Sequence, residues 1–206
     1  MGMLRAKVVS GTFSILAISP SSELMGVAVA SGSTYVGDRA PYAKPGIGVI
    51  ATQGYTNVCY GVRGLELLVK GLTPQKALNR LLREDPERNL RQVAMMDFKG
   101  EKAVFTGANA PEYHGEIIGE DYIVIGNLLS KKEVVTSMSE QFESSSGNLA
   151  WKMVKALKAG SESGGDKRGE RSAALVVIGT EKVEVEIKID VHENPVEELF
   201  RKLKSR

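Results

Sequence analysis

The order of two hydrophobic rhythms constrains this chain more than any single motif. Three runs with strand-like patterning come first, then two with helical spacing, then three strands, two helices, two strands and a closing helix. Phe13, Ile15 and Ala17 alternate with Thr12, Ser14 and Leu16, which predicts a strand from Thr12 to Ser19. The cluster Ser19-Pro20-Ser21-Ser22-Glu23 reads as a turn, and Leu24 to Ala30 as the partner strand of a hairpin. Gly26, Ala28 and Ala30 in that strand leave room for another element to approach closely. A loop rich in Gly, Asp and Pro then leads to a third strand, Ile47 to Gln53.

Leu65, Leu68, Val69 and Leu72 fall on one helical face, and Thr73-Pro74 opens a second helix that stops before Asp85-Pro86. Its stripe is Ala77, Leu78, Leu81 and Leu82. Gln92 to Phe98 and Lys102 to Thr106 form a hairpin across Lys99-Gly100-Glu101, and Tyr122 to Ile125 runs into Gly126-Asn127. Helices follow over Lys131 to Phe142 and Leu149 to Ala159, with Met and Trp residues assigned to the core. The polar stretch Gly160 to Arg171 reads as a long loop. Beyond it, Ser172 to Ile178 reads as a strand covered on both faces, and Val183 to Ile189 as one with a wet face. The last helix opens at Asn194-Pro195, with Glu197 at the capping-box position and Val196, Leu199, Phe200 and Leu203 turned inward. Strand runs separated by helix pairs do not make simple strand–helix alternation. They fit an α+β chain built as a four-layer αββα sandwich of two antiparallel sheets.

The chain has 206 residues, enough for one substantial domain. Residues 12–206 are assigned to that domain, and 1–11 to an N-terminal extension or pro-segment. With 27 basic and 25 acidic residues mixed along its length, the chain carries no footprint for nucleic acid or an anionic membrane surface. No apolar run approaches the ~20 residues of a membrane span. The first residues are a poor secretory signal. The single cysteine, Cys59, excludes an internal disulfide, fits a reducing, cytoplasmic setting, and is read as a packed small hydrophobe. No His/Cys spacing suggests a metal site.

Chemistry enters at Ser10-Gly11-Thr12-Phe13-Ser14-Ile15. A threonine freed at a Gly-Thr bond carries a hydroxyl nucleophile and its own α-amine as base, with no histidine and no cofactor required. An α-amine has a reference pKa of about 7.7–8.0, so part of it is neutral at pH 7. Thr12 is therefore the candidate nucleophile. Gly54, ending Ala51-Thr52-Gln53-Gly54, offers a backbone N–H for an oxyanion hole, and Lys44 a charge to tune the amine. Asp166, Arg168 and Ser172 stand together before a buried strand.

Several segments together resemble the DUF1028 family. They are Thr12-Phe13-Ser14-Ile15, Gly26 to Ser31, Ala51-Thr52-Gln53-Gly54-Tyr55-Thr56-Asn57 and Tyr60-Gly61-Val62-Arg63-Gly64-Leu65. Phe105-Thr106-Gly107, Gly126-Asn127, Gly164 to Gly169, Ser172-Ala173-Ala174-Leu175 and Asn194 to Leu199 complete the set. That family is placed with the N-terminal-nucleophile (Ntn) hydrolases, and the resemblance implies their αββα fold. Members commonly begin almost at the threonine matching Thr12, whereas this chain carries eleven residues before it. Proteasome-type relatives have an aspartate near where this chain has Ser31. Their basic residue falls in the region of Lys44, and their oxyanion glycine resembles Gly54. Their later Asp and Ser resemble Asp166 and Ser172. The resemblance also implies binding positions at Ser31, Gln53, Asn57, Asn127, Asp166, Arg168 and Ser172. Two readings compete. One is an amidohydrolase acting on a small or peptide-like amide through Thr12 after Gly11-Thr12 cleavage. The other is a non-catalytic ligand-binding or assembly protein with its N-terminus uncut. The fold further suggests a homo-oligomer, a dimer or larger.

Overall fold

The computed structural model describes residues 11–21 and 23–206. The assigned extension therefore lies outside the described residues except for Gly11, as does Ser22 of the first turn. The elements are β1 (Thr12–Ile18), β2 (Met25–Ser31), β3 (Pro41–Lys44), β4 (Gly48–Gly54), α1 (Cys59–Val69), α2 (Pro74–Glu84), β5 (Arg91–Asp97) and β6 (Lys102–Thr106). They continue as β7 (Gly115–Ile118), β8 (Tyr122–Asn127), α3 (Glu133–Ser144), α4 (Leu149–Glu162), β9 (Ser172–Ile178), β10 (Val183–Ile189) and α5 (Pro195–Lys204). All strand pairings are antiparallel, in one sheet ordered β10-β9-β2-β1-β8-β7 and another ordered β3-β4-β5-β6.

Alternation along β1 sorts its side chains between two layers. Phe13, Ile15 and Ala17 face outward onto α4 and its neighbours, packing with Met138, Met153, Val154, Leu157 and Leu199. Leu16 and Ile18 face the other sheet and join Val27, Val29, Val49, Ala51, Ala94 and Met96. On the far side, α1 and α2 cover the four-stranded sheet through Tyr60, Leu67, Leu68, Leu78 and Leu81 against Ile50, Val93 and Met95. The four layers expected from the element order are the layers found. A Cβ at Gly26 would stand 2.7 Å from the Met153 sulfur, so α4 is the element that needs the small residues of β2.

Differences from the sequence reading are local. The four-residue strands β3 and β7 are edge strands, short and without clear alternation, and only pairing with β4 and β8 defines them. Helix α1 starts at Cys59 and buries Tyr60, Gly61, Gly64, Leu67 and Leu68, leaving Val69 exposed and Leu72 beyond its end. Cys59 is exposed rather than packed, because it occupies the first helical position with its amide capped by Asn57 Oδ1 at 3.1 Å. Helix α4 runs on to Glu162, which shortens the long loop. Thr73 caps α2 by accepting the Lys76 amide at 3.3 Å. Asn194 does not cap α5 through its side chain, and Glu197 pairs instead with Lys158 of α4. Among the described residues, no helix is long and apolar enough to cross a membrane.

Candidate functional site

Register places Asn127, Thr12, Ser31 and Ser172 side by side across β8, β1, β2 and β9. By alternation with Leu16 and Val29, Thr12 and Ser31 face the other sheet. Gln53, Gln92 and Thr106 are aligned across β4, β5 and β6. Two polar rows thus confront each other at one end of an otherwise apolar inter-sheet layer. Thr12, Ser14, Ser31, Gln53, Gln92, Asn127 and Ser172 are all buried.

Buried amides and hydroxyls are costly unless bonded, and these bond to one another across the gap. Gln53 Nε2 donates to the Thr12 carbonyl at 2.9 Å and to Gln92 Oε1 at 2.8 Å. Ser14 Oγ donates to Gln53 Oε1 at 2.5 Å, and Asn127 Nδ2 to Gln92 Oε1 at 3.1 Å. Gln92 Nε2 continues outward to Thr106 Oγ1 at 3.0 Å, whose hydroxyl ends on Glu116 Oε2 at 2.6 Å. Thr12 is fixed through its backbone, and its hydroxyl is not consumed by this network.

The hydroxyl sits beside the Gly11-Thr12 peptide. Thr12 Oγ1 donates to the Gly11 carbonyl oxygen at 2.7 Å and lies 3.4 Å from Ser31 Oγ. Ser31 Oγ donates to the same carbonyl at 2.5 Å, and Arg168 Nη2 does so at 3.3 Å. Arg168 is aimed by Asp166, whose side chain is 0% exposed. Asp166 Oδ1 accepts from Arg168 N and Nε at 3.0 Å each, and Oδ2 accepts from Arg168 Nη2 and Gly32 N at 2.8 Å each. A Cβ at position 11 would fall 2.5 Å from Asp166 Oδ2 and 2.8 Å from Leu128 Cβ, so only glycine fits before Thr12. A carbonyl that accepts from two hydroxyls and a guanidinium is polarised where negative charge would develop on attack.

The structure gathers Thr12, Ser31, Gln53, Asn127, Asp166, Arg168 and Ser172 at this end. Ser172 serves a loop there: its hydroxyl donates to Ser33 O at 2.5 Å and accepts from Val36 N at 3.0 Å. Gly54 ends β4 directly after Gln53, at φ +82°, and a Cβ there would meet Leu90 O at 2.8 Å. Lys44 is not brought to Thr12. It is exposed and pairs with Gly48, at the opposite end of β4 from Gln53. The cation at the Gly11 carbonyl is Arg168 instead. Asn57 belongs to a second cluster, facing Asp85 at 3.5 Å.

In that second cluster Arg91 Nε pairs with Asp85 Oδ2 at 2.9 Å, both side chains only 8% exposed. Arg91 Nη1 donates to Tyr55 O at 2.6 Å, and the Tyr60 hydroxyl donates to Asp85 at 3.1 Å. Burial alone would raise the Asp85 carboxyl, but the Arg91 partner outweighs it and holds the group below its ordinary range. Burial and the Asp85 charge push Tyr60 upward. The pair clamps the loop after Gly54 to the start of β5.

Sequence reasoning missed Ser14, Gln92 and Thr106. The signal was present for Gln92, which shares a strand face with Ala94 and Met96. Among the described residues, no three His, Cys, Asp or Glu side chains gather as metal ligands.

Comparison with functionally curated proteins finds no match. Among solved structures, protein SPO2555 from Silicibacter pomeroyi superposes with a TM-score of 0.88 at 31% identity, over 95% of this chain and 85% of that one. That protein is itself described by the DUF1028 family model. Anbu, an ancestral β-subunit from Yersinia bercovieri, aligns over 94% of this chain and 93% of its own, with a TM-score of 0.45 and 9% identity. The model of a family of unknown function, DUF1028, matches residues 12–199, a span that starts at Thr12. With nearly the whole domain matched and a 31% identical structure covering 95% of the chain, this protein belongs to the DUF1028 family.

Proposed function

We propose that the protein is an N-terminal-nucleophile amidohydrolase that cuts its own Gly11-Thr12 bond and then hydrolyses a small or peptide-like amide. The observation that carries this reading is the Gly11 carbonyl, held by the Ser31 hydroxyl and Arg168 beside the Thr12 hydroxyl. In self-cleavage, Thr12 Oγ1 attacks the Gly11 carbonyl carbon and the oxyanion rests on Ser31 and Arg168. The C–N bond breaks as the Thr12 nitrogen takes a proton, leaving an ester. Water hydrolyses that ester, releasing the Gly11 carboxylate and restoring the hydroxyl. The freed amine then accepts the hydroxyl proton during turnover. The neighbouring Arg168 cation favours the neutral form of that amine, which is the form a base requires. Thr12 attacks the substrate carbonyl, with the Gly54 amide assigned to its oxyanion. The amine leaving group departs protonated, and water releases the acid.

Intact-mass analysis of the purified protein beside a Thr12→Ala variant tests the reading. Loss of residues 1–11 from the wild type alone supports it. Trimming of both chains points to a separate protease. Retention of the full chain in both after long incubation refutes it and leaves the ligand-binding alternative.

A further inference from the structure

A cavity of about 480 Å³ lies between the end of α2 and β6, lined by Asn79, Leu82, Arg83, Arg88 and Phe105. That volume is in the range of small-molecule sites. Side chains alternate along β6, so Val104 packs into the inter-sheet layer and Phe105, one residue on, joins the α1–α2 side. The four-stranded sheet therefore stands between this cavity and Thr12, and nothing in the chemistry proposed for Thr12 uses it.

Two kinds of group in its wall are left incomplete by the fold. Leu82 and Phe105 pack at the rim of the helix-side core and stay only half-buried. Arg83 and Arg88 are exposed, and among the described residues neither has a carboxylate partner. The acids of this segment are engaged by other arginines. Glu84 meets Arg63 at 2.5 Å and Arg80 at 3.5 Å, while Asp85 and Glu87 both pair with Arg91, at 2.9 and 3.0 Å. Arg83 Nε donates to Asn79 O at 3.3 Å, which lays the side chain back along α2 and leaves both terminal nitrogens open to solvent. Asn79 Oδ1 accepts from Gln75 Nε2 at 3.0 Å, so its amide NH₂ is the group left for a ligand. Guanidinium forks match the planar geometry of a carboxylate, and a half-buried aromatic and leucine beside them offer cover to an apolar body.

We infer that this cavity is a second ligand site, separate from Thr12, for a small carboxylate with an apolar body. Arg83 and Arg88 take the carboxylate, the Asn79 amide adds a donor, and Leu82 and Phe105 cover the hydrocarbon. Neither half suffices alone. Exposed ion pairs contribute little in water, and a body without the charge leaves the two guanidinium groups unmatched. The site exists whether or not the Gly11-Thr12 bond is cut.

The test is a proton–nitrogen NMR titration of the full chain with 4-phenylbutyrate at fixed ionic strength, beside 4-phenylbutanamide and acetate. The acid should give saturable amide shifts confined to residues 79–90 and 103–107. The neutral amide, which keeps the body, and acetate, which keeps the head, should each bind at least about fivefold more weakly. Arg83→Gln and Arg88→Gln should each weaken the acid by about fivefold, and the double variant more. Arg88→Lys, which keeps the charge but not the planar fork, should lose less. Both arginines are exposed, so these variants are expected to fold, and their unperturbed spectra serve as the check. Lys204→Gln, an exposed cation at the end of α5 in the opposite helix layer, should leave binding unchanged, as should Thr12→Ala. Failure of the acid to saturate, equal binding of the amide, or wild-type binding in the double variant overturns the inference. Loss of binding in Thr12→Ala places the ligand at the nucleophile and overturns it too. Mass analysis of the same samples scores cleavage separately, so an uncut chain that binds the acid keeps this site and refutes the hydrolase reading.

Discussion

The tight slot around Gly11 makes a quantitative prediction for Gly11→Ala. The added methyl would stand 2.5 Å from Asp166 Oδ2, 3.0 Å from Asp166 Cγ and 2.8 Å from Leu128 Cβ. Neither wall yields easily. Asp166 is anchored by Gly32 and by Arg168. Leu128 already sits at φ +51°, a strained setting for a branched side chain, with its N–H bonded to Pro111 O and its carbonyl to Lys167 N. Overpacking costs about 1–3 kcal/mol. Displacing Asp166 from one charged hydrogen bond adds roughly 1.5–3 kcal/mol. A loss of about 3 kcal/mol corresponds to a melting point lower by about 6–12 °C for a domain of this size. The measurement belongs in a Thr12→Ala background, so that both chains keep residue 11, and is read by urea denaturation or scanning calorimetry. In an added Asp166→Ala background the cost of Gly11→Ala should shrink, since the nearest wall is gone. A penalty under about 1 kcal/mol would refute the picture of a filled slot.

Other consequences can be checked separately. Ser31→Ala should slow self-cleavage about 100-fold by mass spectrometry, the usual scale for removing one oxyanion donor, whereas Lys44→Ala at the far end of β4 should leave its rate unchanged. Arg91→Ala strands the Asp85 carboxylate in a site 8% exposed and should cost about 3–5 kcal/mol in denaturant unfolding. Because the folded Asp85 pKa is depressed, the unfolded chain binds its proton first as pH falls. Asp85 therefore stabilises the fold above the ordinary carboxyl range and loses that contribution as pH drops through the folded value. The Asp85→Asn variant should be less stable at neutral pH and show a flatter decline under acid, measured by denaturation midpoints across pH.

Much of the fold was legible because alternation is a local property. Phe13, Ile15 and Ala17 against Thr12, Ser14 and Leu16 already separate the helix-facing side of β1 from the inter-sheet side. The edges were not legible, since β3 and β7 exist through partners distant in sequence. The site divides in the same way. Thr12 announces itself by its glycine and its strand, and Asp166 and Arg168 by their loop. That Gln92 meets Gln53 and Asn127 depends on the spacing of two sheets, which no linear pattern encodes. Lys44 was misplaced for a related reason: nearness to a motif along the chain says little about which end of a strand a side chain occupies.

Thr12 begins a strand in the middle of its sheet, with β2 on one side and β8 on the other. Breaking a polypeptide ordinarily creates two frayed ends. Here the end that begins with Thr12 would be clamped on both flanks, with its carbonyl gripped from the opposite sheet by Gln53. The conformational entropy that a free amino terminus retains has already been surrendered when the domain folds. On the proposed hydrolase reading, a base and a nucleophile carried on one residue would start each reaction cycle already aligned, and the rate would not wait on a search for their mutual orientation.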